Sequence, residues 1–142
     1  MISIIKGEQM ERKFIKVTAG IIYYNGKILI AQRRKDKSFG GFWEFPGGKT
    51  EPGETCRQTL AREIKEEFDI DIQVEKQLME YDFSYPAFDL KMYVCQAFWN
   101  GKGKIKICDH EQYTFVNVTD MDKYEFSEAD IAIVEFLKTH SI

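Results

Sequence analysis

The segment Gly47-Gly48-Lys49-Thr50-Glu51-Pro52-Gly53-Glu54, followed by the run from Thr55 to Ile70, carries the most information in this chain. Paired glycines and a Pro-Gly step mark a turn-rich approach to a helix, on which Cys56, Leu60, Ala61, Ile64 and Phe68 recur at helical spacing. Counting about 100° per residue from Cys56, Glu63 lies near −20°, Glu66 near −80° and Glu67 near +20°. Leu60, Ala61, Ile64 and Phe68 spread over roughly +40° to +140° of the same wheel. The three carboxylates therefore share one flank, and Glu67 falls inside the apolar arc. A solvated acidic stripe would lie opposite the apolar face, whereas this one abuts it. Carboxylates gathered at the edge of a core repel one another and lose hydration, at a cost of several kcal/mol unless positive charge compensates. Arg62 is one candidate, and Lys65 projects away from the cluster. A hard divalent cation with oxygen ligands, magnesium or manganese, is the natural complement.

Upstream, Val17, Ala19, Ile21 and Tyr23 alternate with other residues, Asn25-Gly26 supplies a two-residue turn, and Ile28 and Ile30 continue the alternation. That pattern predicts a β-hairpin. Residues 32–53 read as a long loop holding seven glycines and prolines around Phe42, Trp43 and Phe45, and so as a functional segment. Strands are expected near 71–84, 88–99 and 113–118, with Gly101 and Gly103 marking a turn. Ile131, Val134 and Leu137 predict a C-terminal helix opened by Ser127 as N-cap. The order of strands, helix, strands, helix implies an α/β fold, a mixed sheet packed between helices, as one domain over residues 1–142.

Composition narrows the partners. Twenty basic against 23 acidic residues leave a net charge of −3, which argues against a nucleic-acid surface as the main theme. Cys56, Cys95 and Cys108 form no C-x-x-C pair, and His110 and His140 are far apart, so a Cys/His zinc site is not expected. No run reaches membrane-spanning length and residues 1–16 offer no signal-peptide core, so the chain reads as cytoplasmic with reduced thiols. Gly48-Lys49-Thr50 imitates the end of a Walker A loop, but that motif needs Gly at position 43, which is Trp.

Gly48, five residues, Glu54, seven residues, then Arg62-Glu63-Ile64-Lys65-Glu66-Glu67-Phe68-Asp69-Ile70 resembles the Nudix box, G-x5-E-x7-R-E-U-x-E-E-x-G-U with U aliphatic. Eight of nine fixed positions agree over 23 residues. The departure is Asp69 in place of Gly, at a position where a left-handed cap is expected and Asp is tolerated. The resemblance implies the Nudix α/β/α sandwich and metal-dependent hydrolysis of a diphosphate linked to a nucleoside or similar group. It implies Glu63, Glu66 and Glu67 as metal ligands, Glu67 or Glu63 also touching the attacking water, and the Gly47 carbonyl as a further ligand. It implies Glu54 and Arg62 as a supporting ion pair. Phe42-Trp43-Glu44-Phe45-Pro46-Gly47-Gly48-Lys49 resembles the approach to the box in the MutT-type branch, which cleaves nucleoside triphosphates to monophosphate and pyrophosphate. Phe45 is accordingly counted among the substrate-binding residues.

Further roles come with the same resemblance. Arg34 would clamp phosphate, against an ordinary solvated basic loop. Glu111 sits where many relatives place an additional metal ligand or base, against a surface glutamate before a strand. Asp130 occupies the place where oxidised-guanine-cleaving relatives have a base-contacting Asn, and the same motif occurs in the CTP pyrophosphohydrolase-like subgroup. An ionised Asp only accepts hydrogen bonds and favours an exocyclic amine, as on cytosine, whereas a protonated one also serves oxidised purines. The competing account makes Ser127 and Asp130 a near capping box. Tyr81, Phe83, Tyr85 and Phe88 either stack on a base or belong to the sheet surface. The function expected is Mg²⁺- or Mn²⁺-dependent cleavage of a small-molecule (d)NTP by a monomer or weak homodimer. ADP-ribose or nucleotide-sugar cleavage is an alternative, weakened by the short stretch before the first strand. A nucleotide sensor that has lost catalysis is another, weakened by the presence of all four box glutamates.

Overall fold

The computed structural model describes residues 12–140. Its first two strands are the predicted hairpin, β1 (Lys13–Tyr24) and β2 (Lys27–Arg33), joined where Asn25 and Gly26 take φ of 53° and 77°. These are the two positive angles that a tight hairpin turn requires. β1 and β2 pair next to the turn, Tyr23 opposite Ile28 and Tyr24 opposite Lys27, and then take different partners. β1 continues parallel to β6 (Phe88–Phe98) and receives β4 (Gly47–Lys49) across Val17–Ala19. β2 pairs β3 (Trp43–Glu44) and β7 (His110–Val116), and β5 (Gln73–Ser84) closes the far side against β6. The result is a seven-stranded mixed sheet.

Both faces of its centre are covered. Ile21, Ile28 and Ile30 pack with Ile133, Val134 and Leu137 of α2 (Glu128–Thr139). Their neighbours Ile22, Leu29 and Ala31 pack with Leu60, Ile64 and Phe68 of α1 (Cys56–Phe68). Consecutive apolar residues on β1 and β2 are thus consumed by opposite faces, as a strand between two helical layers requires. The expected α/β sandwich is present.

α1 is closed at both ends. The Thr55 hydroxyl accepts the Gln58 N–H at 3.1 Å while the Gln58 side-chain carbonyl accepts the Thr55 N–H at 2.9 Å, a capping box. At the other end Asp69 is left-handed, with φ of 56°, and its N–H reaches the Lys65 carbonyl. The Asp that replaces Gly in the box therefore takes the backbone angle that the Gly would have supplied.

Three expectations need correction. The segment 32–53 is not all loop: β3 and β4 lie within it, held by non-local pairing to β2 and β1. β7 starts at His110, three residues before the expected 113. Ser127 occupies the N-cap of α2, but its side chain makes no capping bond there. Among the described residues no helix is long and apolar enough to cross a membrane.

Candidate active site

A cavity of about 580 Å³ opens where β1 and β2 have taken separate partners. Val17–Ala19, Gly47–Lys49, Arg33 and Arg34 line it together with Glu63, Glu67, Asp109 and Asp130.

Both glycines are sterically required. A Cβ on Gly47 would lie 1.9 Å from the Thr18 carbonyl oxygen, inside the β1–β4 pairing. A Cβ on Gly48 would lie 2.3 Å from Glu63 Cδ, so the missing side chain is what lets the Glu63 carboxylate rest against the backbone.

Glu54 and Arg62 form the expected pair. Arg62 Nε donates to Glu54 Oε2 at 2.6 Å and Nη2 to Oε1 at 3.0 Å, a two-pronged contact. Glu54 also accepts the Glu51 N–H and the Thr59 hydroxyl, each at 2.9 Å. Hydrogen bonding to Arg62 first, and to the Glu51 N–H next, holds the Glu54 carboxyl down to about 2. Arg62 also donates to the Lys49 carbonyl at 3.1 Å and to Glu63 Oε2 at 3.1 Å, tying β4 to the helix.

The trio divides in two. Glu63 and Glu67 line the cavity; Glu66 does not, its side chain being 59% exposed and 3.3 Å from Arg62. Among the described residues no three His, Cys, Asp or Glu side chains stand close enough to enclose an ion in this arrangement. Two features nevertheless fit a hard cation. Glu67 Oε1 is buried without a hydrogen-bond partner among the described residues. Burial first, then the adjacent Glu63, then Glu44 and Asp109, push the Glu67 carboxyl up to about 9. An orphaned oxygen among like charges, beside glycines that admit a close approach, is an arrangement that a divalent ion with oxygen ligands would relieve.

Arg34 lines the cavity and meets Asp36 at 2.8 Å. Glu111 is exposed and is absent from the lining; the structure does not bring it to the trio. Asp109 and His110 line the cavity instead. The register of β7 against β2 shifts between Gln32 and Arg33, so that Gln112 faces Gln32 and His110 faces Arg33, leaving Glu111 without a partner. His110 is buried, stacks on Phe68 at 5.3 Å, and holds Glu44 Oε2 at 2.8 Å through Nε2. The acid missed from the sequence is thus Asp109. Strand alternation accounts for the outward turn of Glu111 next to His110 but carries no signal for Asp109, which precedes β7 and is held by Lys37 at 2.8 Å.

Asp130 is buried and accepts the Phe45 N–H through Oδ2 at 2.8 Å. It is not half of a capping box. Burial above all, then the charge of Glu44, raises its carboxyl to about 8, with the Phe45 N–H acting in the opposite sense. Phe45 itself is buried and stacks on Phe126 at 5.1 Å, so it presents backbone as well as ring to the cavity wall.

Comparison with known proteins agrees with this geometry. A family model for the NUDIX domain matches residues 17–136. The CTP pyrophosphohydrolase of Escherichia coli (strain K12) is 32% identical over 123 residues, 87% of this chain and 90% of that protein. The 8-oxo-dGTP diphosphatase of Proteus vulgaris is 47% identical over 64 residues, 44% of this chain and 57% of that protein. The solution structure of the E. coli ORF135 protein superposes with a TM-score of 0.74 at 30% identity, covering 89% of each chain. With the box, the sandwich and these matches in agreement, the chain belongs to the NUDIX-domain family and is a Nudix hydrolase.

Proposed function

We propose that this Nudix hydrolase is a Mg²⁺-dependent nucleoside triphosphate pyrophosphohydrolase, with Mn²⁺ as a substitute, that converts a (d)NTP to (d)NMP and pyrophosphate. The observation that carries the reading is the buried Glu67 oxygen, orphaned beside Glu63 under the Gly47-Gly48 strand. Glu63 and Glu67, with Glu66 and the Gly47 carbonyl in reserve, would hold a divalent cation there, and such an ion would supply positive charge for the phosphoryl oxygens and a lowered pKa for the attacking water. Glu67 is the chain's proton acceptor for that water. Its carboxyl holds a proton near neutrality through burial and like charge, and opposite charge nearby favours the ionised, basic form. Arg62, clamped by Glu54, keeps the helix and β4 in register and prevents the glutamates from splaying. Arg33 and Arg34 supply cationic donors along the phosphate path. Asp109, which shares the cavity lining with Glu67 and whose charge acts on it, takes the part expected of Glu111.

The base is read by Asp130. When ionised it accepts from an exocyclic amine, which suits a cytidine-type nucleotide. When protonated it offers a donor and an acceptor together, which suits an oxidised purine. The Escherichia coli and Proteus relatives carry names from these two classes. The work of such an enzyme belongs in the cytoplasm, with a free nucleotide as partner. The deciding experiment offers CTP, 5-substituted pyrimidine triphosphates, 8-oxo-dGTP, canonical dNTPs and ADP-ribose with Mg²⁺ and identifies the products. Pyrophosphate and monophosphate are expected from a cytidine or oxidised triphosphate. Orthophosphate release, or ADP-ribose as the preferred substrate, would refute the reading.

A further inference from the structure

A second cavity, about 490 Å³, adjoins the first and shares Val17, Arg33, Lys49 and Asp130 with it. Phe39 and Tyr85 stand in its wall. Phe39 has φ of 59°, a left-handed conformation that a bulky side chain avoids, and it is 40% exposed. Neither property serves folding: glycine takes that angle without strain, and a ring left in water gains little from burial. The surrounding loop enforces both. Gly40 is packed so closely that a Cβ there would lie 2.6 Å from the Lys35 carbonyl oxygen. Arg33 Nε donates to the Ser38 carbonyl at 2.7 Å, and the Phe42 N–H donates to the Phe39 carbonyl at 3.2 Å. Lys37 meets Asp109 at 2.8 Å and ties the loop to the wall of the first cavity. Held in this way, the Phe39 ring lies 4.9 Å from that of Tyr85, at 39°. Tyr85 is fixed in turn, because its hydroxyl accepts the Ala129 N–H at 3.3 Å, one residue before Asp130.

We propose that Phe39 is a specificity-determining residue whose ring, presented by its strained loop beside Tyr85, stacks on the base that Asp130 reads at its edge. This rests on the nucleotide reading above and adds the part that selects for a base as such. Strain persists where the surroundings over-determine it, and ligand clamps are where such strain collects. A stacked ring accepts any base face, so Phe39 favours nucleosides over bare polyphosphate while Asp130 discriminates among bases.

The test is steady-state hydrolysis by the full chain with Mg²⁺, on CTP, on 8-oxo-dGTP and on methyl triphosphate, which has no base. Phe39→Ala is expected to raise KM for the cleaved nucleotide about tenfold. Its kcat/KM should fall several times further on that nucleotide than on methyl triphosphate, and Phe39→Trp should restore most of the loss. Phe39→Gly should show the same base-dependent loss with a Tm no lower than wild type, because glycine relieves the left-handed angle. Equal losses on nucleotide and methyl triphosphate, or a wild-type KM in Phe39→Ala, would overturn the proposal. If the unaltered protein cleaves no triphosphate, the hydrolase reading fails separately. Calorimetric binding of CMP and 8-oxo-dGMP then decides the role of Phe39: weakening in Phe39→Ala supports it, and absent or unweakened binding overturns it.

Discussion

Glu67 and Asp130 line the same cavity, and burial is the first cause of the raised pKa in each. What surrounds them differs. Around Glu67 the next influence is another carboxylate, and one oxygen has no donor among the described residues. Around Asp130 a backbone N–H from Phe45 opposes the shift and takes up one oxygen. The first environment is short of positive charge, so its natural complement is an ion. The second is nearly satisfied, so its complement is a single polar group on a ligand. On the function proposed above, these two acids in the lining of one cavity divide catalysis from recognition.

The comparison breaks most sharply at Glu67. Glu67→Gln is expected to lower kcat by about 10³-fold or more while leaving Tm at or above wild type, because an uncompensated buried acid is removed. Near-wild-type turnover would show that the two acids are not different in kind. Next comes Gly48→Ala, whose methyl would displace the Glu63 carboxylate rather than the backbone. A loss of about 100-fold in kcat/KM is expected, with the circular dichroism spectrum preserved. A smaller separation is expected beside His110. Asp109→Asn should cost about 10- to 100-fold in activity, whereas Glu111→Gln should stay close to wild type; the reverse order in parallel assays would restore the expectation from sequence.

The smallest effects concern Asp130. Its native carboxyl keeps a proton that the unfolded chain releases, so its contribution to stability declines as pH rises from about 4 to about 8. The slope is at most about 1.4 kcal/mol per pH unit. Asp130→Asn retains the acceptor for Phe45 but does not titrate, so its Tm advantage over wild type should widen between pH 5 and pH 8 in metal-free thermal scans. The preference for CTP over 8-oxo-dGTP should rise with pH in wild type and flatten in Asp130→Asn. A pH-independent ranking would remove Asp130 from base reading.

The local parts of this molecule were legible without the structure. Asn25-Gly26, the helical spacing of Leu60, Ile64 and Phe68, and the Glu54–Arg62 spacing depend on neighbours within a few turns. β3 and β4 were not legible, because they are made strands by distant partners. The Trp43 N–H reaches the Glu125 carbonyl at 2.8 Å, and Gly48 is paired by Thr18. The glycines and prolines there do mark turns, as their chemistry demands, but cross-chain hydrogen bonds override the local preference. Asp109 was hidden for a related reason: a one-residue irregularity in pairing decides which side chain faces inward, and composition does not record it. The aim of Asp130 at Phe45 spans a long reach of chain and imitates a cap in sequence alone.

The last turn of α1 is fastened to the segment leading into β7. The Cys108 N–H donates to the Glu67 carbonyl at 3.1 Å, the Lys106 N–H to the Phe68 carbonyl at 2.9 Å, and Lys106 Nζ lies 3.6 Å from Asp69. Asp109 thus rides on the same block as Glu67, while Lys102, Gly103 and Lys104 are exposed outside that seam, between Gly101 against the Tyr24 ring and Ile105 against the α1 core. A library that varies length across Lys102-Gly103-Lys104 should leave the acids coupled, which makes this exposed bend a practical place to graft new recognition elements onto the scaffold.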